Sequence, residues 1–169
     1  MKPVFGGFTA PEAGVHIARI KRVVWEDWKE DDKVKGRQCR LELKVEGGGS
    51  DGLQQSDWFY DPTKGDFSMS KLMGVGVKAG IFDENVELPV EAFRGDENEK
   101  KVEQKYTDRV LGVDIKMQKG KGKYEDRTIV HQYLTVKEAQ ALQKGNSPAG
   151  KPVPAPAPKE EKKADVSSW

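Results

Sequence analysis

Reactive side chains are scarce in this chain. Cys39 is its only cysteine, and His16 and His131 are its only histidines. One cysteine excludes a disulfide framework and makes a reducing compartment the expectation. Two distant histidines give no ligand-spaced cluster, so a zinc or metal-hydrolase site has little to stand on. Each reads as an ordinary strand histidine. Cys39 falls on the apolar side of an alternating stretch, where a small buried thiol explains it. Carboxylates are plentiful, yet no pair is set apart by a motif. Lys119, Lys121 and Lys123, spaced by Gly120 and Gly122, do not make a phosphate-binding P-loop, because no Ser or Thr follows the last Gly-Lys and no helix follows. These absences predict a protein that is not an enzyme and uses no cofactor or metal.

Long apolar runs are missing too. Nothing approaches the length of a membrane span, and the first eight residues lack the apolar stretch of a signal peptide. The expectation is a soluble, cytoplasmic chain with no membrane contact. Nor does one sign of charge dominate: 29 Lys and Arg oppose 28 Asp and Glu. Binding to a polyanion therefore has to rest on local segregation. Segregation is present. Lys116, Lys119, Lys121, Lys123 and Arg127 oppose only Glu125 and Asp126, whereas seven acids between 83 and 99 oppose Arg94 alone. The acidic run reads as a solvated loop, or more sharply as a device that keeps DNA off one side.

What is present is strand periodicity. Leu111, Val113, Ile115 and Met117 alternate with polar or small residues, and after the glycine-spaced lysines the pattern resumes over 124–133. Two strands with a cationic tip make a hairpin. Upstream, an extended arm over 1–13 carries Phe5 and Phe8 as anchors. The stretch 14–25 predicts a first strand with a bulge near Arg19, and 26–35 a polar connection holding Trp28. The clearest strand is 37–45, with Cys39, Leu41, Leu43 and Val45 on one face and Arg40, Glu42 and Lys44 on the other. After a glycine-rich turn, 54–60 returns as a third strand.

The period then changes. Asp66 or Ser68 caps a helix in which Met69, Leu72, Met73 and Val77 share a face and Gly80 is the stop. Residues 88–95 predict one short helical turn, and the charged stretch to Arg109 a solvated connection. Thr135 and Glu138 have capping-box spacing and open a short helix ending at Gly145. The expectation is a mainly β fold, a five-stranded OB-like barrel with a helix between strands 3 and 4 and a short C-terminal helix. It occupies 1–145. Residues 146–169, with five prolines among alanine and lysine, predict a disordered polyproline-like tail ending in Trp169.

Such a barrel has material for holding single-stranded nucleic acid, which needs cations for phosphates and flat rings for unstacked bases. Lys21, Arg22, Arg40, Lys44, Lys116, Lys119, Lys121, Lys123 and Arg127 are the candidate cations. Trp25, Trp28, Trp58, Tyr60 and Tyr124 are the candidate stacking residues. Alternation sends at least one of Trp58, Phe59 and Tyr60 inward without saying which. The terminal Trp169, with Asp165 nearby, offers a partner protein an apolar ring beside a carboxylate.

The strand–helix–strand order and this tail resemble phage-encoded single-stranded DNA-binding proteins. The resemblance implies sequence-tolerant binding of single-stranded DNA in replication, recombination or repair, within an infected bacterial host. It also implies recruitment of replication or recombination proteins through Asp165 and Trp169. Tails of that family are strongly acidic, whereas this one mixes Lys151, Lys159, Lys162 and Lys163 with Glu160, Glu161 and Asp165. Competition between tail and DNA is therefore not expected. A homo-oligomer paired at a sheet edge is compatible with the sequence. The rival reading is a protein–protein adaptor on the same barrel.

Overall fold

The structure, a computed structural model, describes residues 10–62, 67–122 and 125–144. Five strands form one antiparallel sheet: β1 (Gly14–Glu30), β2 (Lys33–Glu46), β3 (Gln54–Pro62), β4 (Val110–Gln118) and β5 (Arg127–Leu134). Their order across the sheet is β3-β2-β1-β4-β5. Helices α1 (Phe67–Lys78) and α2 (Asp96–Tyr106) come between β3 and β4 in the chain, with a 3-10 turn over Val90–Phe93 between them. Helix α3 (Val136–Gln143) follows β5. The fold is mainly β.

Both halves of the sheet hang on β1. Residues from Gly14 to Arg19 pair with β4, and from Ile17 onward the same strand pairs with β2. Ile20 and Val23 lie three apart yet are both buried. A register shift between Ile20 and Arg22 makes this possible, because one extra residue reverses the alternation. The bulge predicted near Arg19 thus falls at Lys21. On β2 the alternation is as expected: Cys39, Leu41, Leu43 and Val45 are buried, and burial holds the Cys39 thiol well above its ordinary range.

The two edge strands of the sheet meet through side chains. Thr128 Oγ1 donates to Gln55 Oε1 at 2.7 Å, Gln55 Nε2 donates to the Thr128 carbonyl at 3.1 Å, and Tyr133 donates to Asp57 at 2.8 Å. No backbone ladder joins β3 to β5 among the described residues.

Three expectations need correction. The polar connection over 26–35 is a two-stranded ribbon: β1 runs on to Glu30, β2 begins at Lys33, and only Asp31 and Asp32 turn. Both have positive φ (51° and 63°), which aspartate tolerates better than most residues. A ribbon wetted on both faces needs no apolar period, so its charges read as loop. The solvated connection before Arg109 is largely helix α2. Its first turn is acidic, which suits a helix N-terminus, and Glu99, Val102 and Tyr106 are its buried residues. Tyr106 donates to the Leu72 carbonyl at 2.8 Å and fixes α2 to α1. Finally, Met117 is 55% exposed: the β4–β5 hairpin outruns the core after Ile115.

Smaller adjustments concern α1. Val75 is buried in the place expected of Val77. Gly76 is there for contact, since a Cβ would lie 2.5 Å from the Tyr106 hydroxyl and 2.6 Å from the Phe82 ring. Gly74 faces open space. Thr135 and Glu138 form the reciprocal capping box that their spacing predicts. The arm with Phe5 and Phe8, the cap at Asp66, the stop at Gly145 and the proline-rich tail lie outside the described residues.

Candidate nucleic-acid interface

Alternation along β3 separates three neighbouring rings. Phe59 is 4% exposed and belongs to the core, while Trp58 at 43% and Tyr60 at 39% stand on the outer face. The register of β1, β2 and β3 turns that face into rows. Val24, Arg40 and Trp58 are opposite one another; Glu26, Gln38 and Tyr60 form the next row; Trp28, Gly36 and Pro62 the one after. On the other side, Arg22, Glu42 and Ser56 make a row, followed by Arg19, Lys44 and Gln54.

Gly36 explains the packing of the rings. A Cβ there would meet the Asp61 carbonyl oxygen at 2.1 Å, so only glycine lets β3 approach β2 at this point. With no side chain between them, Trp28 reaches across to Tyr60, ring centroids 5.1 Å apart and planes tilted by 53°. The pair is fixed by strand register and needs little ordering when a ligand arrives. A third ring, Trp58, stands two positions along the strand from Tyr60.

The cations beside these rings share one carboxylate. Arg40 Nη2 lies 3.3 Å from Glu42 Oε1, and Arg22 Nη1 lies 3.7 Å from Glu42 Oε2. Arg40 Nε is buried and has no hydrogen-bond partner. Lys44 is exposed on the same face. Arg37, the neighbouring cation on β2, is turned instead towards carboxylates: it makes a bidentate pair with Glu99 at 2.6 and 3.0 Å and a further bond to Asp27 at 2.9 Å. Arg94 grips Asp61 in the same way, and Arg37, Glu99, Asp61 and Arg94 line a cavity of about 260 Å³ at that end of the sheet. Glu99 is therefore structural and not part of a solvated acidic loop.

The hairpin cations extend this surface. Inward-facing Gln55 and Thr128 adjoin, so the alternate positions Ser56 on β3 and Arg127 and Ile129 on β5 emerge on the outer side of the same junction. Lys116, opposite Ile129, follows, and Lys119 and Lys121 are exposed beyond it. Asp126 accepts from the Gly120 amide at 2.9 Å and braces the tip, while Arg127 Nε donates to Gln118 at 3.0 Å.

Two expected members stand apart. Trp25 is opposite Cys39 and packs half-buried against the core, its indole Nε1 enclosed without a partner. The bulge at Lys21 reverses alternation downstream of it, which places Trp25 on the inner face and Trp28 on the outer. Lys21 itself is at the bulge, 3.8 Å from Asp108. Lys123, Tyr124, Asp165 and Trp169 lie outside the described residues. The structure thus brings together Arg22, Trp28, Arg40, Lys44, Trp58 and Tyr60, with Lys116, Lys119, Lys121 and Arg127 continuing round the edge. The places of Gly36 and Glu42 in this face become visible only once the cross-strand register is known.

Among the described residues no three His, Cys, Asp or Glu side chains are grouped to hold a metal ion, and no helix is long and apolar enough to cross a membrane. His16 contacts the Glu12 carbonyl at 2.6 Å, and His131 is exposed on β5. No protein-family model matches the chain, and no curated protein matches it either.

Proposed function

We propose that this protein is a non-catalytic, sequence-tolerant binder of single-stranded DNA that serves phage replication, recombination or repair. The observation that carries the reading is the outer face of β1–β3, where Trp28, Trp58 and Tyr60 adjoin Arg22 and Arg40. Bases of any kind stack on such rings, at about 1–3 kcal/mol per base, while guanidinium and ammonium groups follow the phosphates. No base-specific hydrogen-bonding pocket is required.

The strand order, the helices between β3 and β4, and the side-chain bonds joining the two sheet edges support an OB-like barrel. In that architecture the second and third strands carry the ligand; here β2 supplies Arg40 and Lys44, β3 supplies Trp58 and Tyr60, and Trp28 reaches in from β1. The tail is assigned to partner recruitment, through Trp169 and Asp165, because an apolar ring with a carboxylate close by in sequence suits a pocket rimmed by cations.

Titration of labelled oligo-dT at two salt concentrations tests the reading. Affinity is expected to fall with salt at a log–log slope of about −0.7 per phosphate neutralised, and Trp58→Ala to weaken binding by about 1–3 kcal/mol. DNA left free at micromolar protein would contradict it and leave the adaptor reading.

A further inference from the structure

Among the described residues Glu42 is the one acid paired with both Arg22 and Arg40, and it holds them from the middle of β2. Its side chain is 22% exposed, against 66% for Arg22 and 29% for Arg40. A phosphate that approaches Arg22 or Arg40 finds that position already occupied by an anion. Arg40 adds a second observation: its Nε–H is buried without an acceptor, so the guanidinium is not fully satisfied where it rests. Moving off Glu42 towards an incoming phosphate offers that N–H an acceptor. Lys44, on the same strand face, has no such competitor among the described residues.

We infer that Glu42 is an internal competitor for the nucleic-acid phosphate, neutralising Arg22 and Arg40 in the free protein and giving up at least one of them when a strand binds. This deepens the single-strand reading and rests on it. The carboxylate limits affinity, and it makes the face less responsive to salt than its cations alone would be, because one counterion is supplied by the protein and not by solution. It also keeps the two arginines extended over the sheet in the absence of DNA, so it positions as well as competes.

The test uses the full chain with oligo-dT across a series of salt concentrations, comparing the parent with Glu42→Gln and Glu42→Ala. Glu103→Gln on α2 removes the same charge away from the face and serves as the control. Matching thermal melts show that each variant is folded. Both Glu42 variants are expected to bind about two- to fivefold tighter than the parent at low salt, the size of one partly exposed ion pair. Their log–log slope is expected to steepen by up to about 0.7, with Glu103→Gln close to the parent. If the parent binds and the Glu42 variants bind equally or more weakly, Glu42 is not a competitor, although the single-strand reading stands. A tightening matched by Glu103→Gln would make the effect one of net charge and overturn the inference in the same way. A parent that does not bind at all overturns both.

Discussion

Trp58 and Tyr60 stand two positions apart on one strand, so their attachment points are separated by about 6.6 Å along the sheet. That spacing allows each ring its own ligand plane, and the contact of Tyr60 with Trp28 holds one of them at a set tilt. On the opposite face of the same strand sits Asp57, a residue whose titration reports on how the sheet edges are joined. Burial, the largest influence, raises its carboxyl above the ordinary value, against the lowering effects of the Tyr133 hydroxyl, the Trp58 amide and Lys71. The folded protein therefore holds that proton more tightly than the unfolded chain does. Its contribution to stability is fully present below the unfolded carboxylate value, about 3.9, and is lost as pH rises through the raised folded value. Asp57→Asn keeps the shape and an acceptor for Tyr133. It is expected to stabilise the protein relative to the parent more at pH 7 than at pH 4, as measured by urea melts at the two pH values. An equal difference at both would show that Asp57 is not perturbed in this way.

At the scale of elements, the hairpin and the β1–β2 ribbon are both charged and exposed and differ in how far the sequence reveals them. Strand β2 is legible because it is buried on one side only, and Cys39, Leu41, Leu43 and Val45 write that burial as strict alternation. The ribbon from Trp28 to Lys35 is hidden because neither of its faces is buried, so pairing leaves no hydrophobic trace. Helix α2 is hidden for a related reason: Glu99 takes one core-facing position and is bound by Arg37, leaving Val102 and Tyr106 as a stripe of only two apolar residues. For the hairpin, Asp126 at the braced tip offsets only part of the charge of Lys119, Lys121 and Lys123. Replacing the three lysines by alanine is expected to weaken binding of all sequences alike and to flatten the salt slope by roughly 2, three contacts at about 0.7 each. Unchanged oligo-dT affinity in that variant would remove the hairpin from the interface.

Across the whole molecule, the fold class was written in the order of periodic segments, because three alternating stretches, a helical one and two more alternating stretches leave few arrangements. The composition of the face was not. Which of Trp25 and Trp28 faces outward depends on a single bulged residue at Lys21, and the closeness of Trp28 to Tyr60 depends on a glycine in the strand between them. The local pattern signals the bulge but not its exact residue, and the glycine contact has no signature in it. The tail is the part of the chain whose proposed role is separable from this face. Deleting residues 165–169 is expected to leave oligo-dT affinity unchanged and to abolish capture of a replication or recombination protein in a pull-down; retained capture would dismiss the tail assignment.

In the proposed binding mode DNA bases lie on the outer rings of β1–β3. Nuclear magnetic resonance of the four indole N–H signals during titration with oligo-dT tests it most directly. The signals of Trp28 and Trp58 are expected to shift together in proportion to bound DNA, while that of Trp25, enclosed against the core, barely moves. Shifts confined to Trp25 or Trp169, or no shift at saturating DNA, would contradict it.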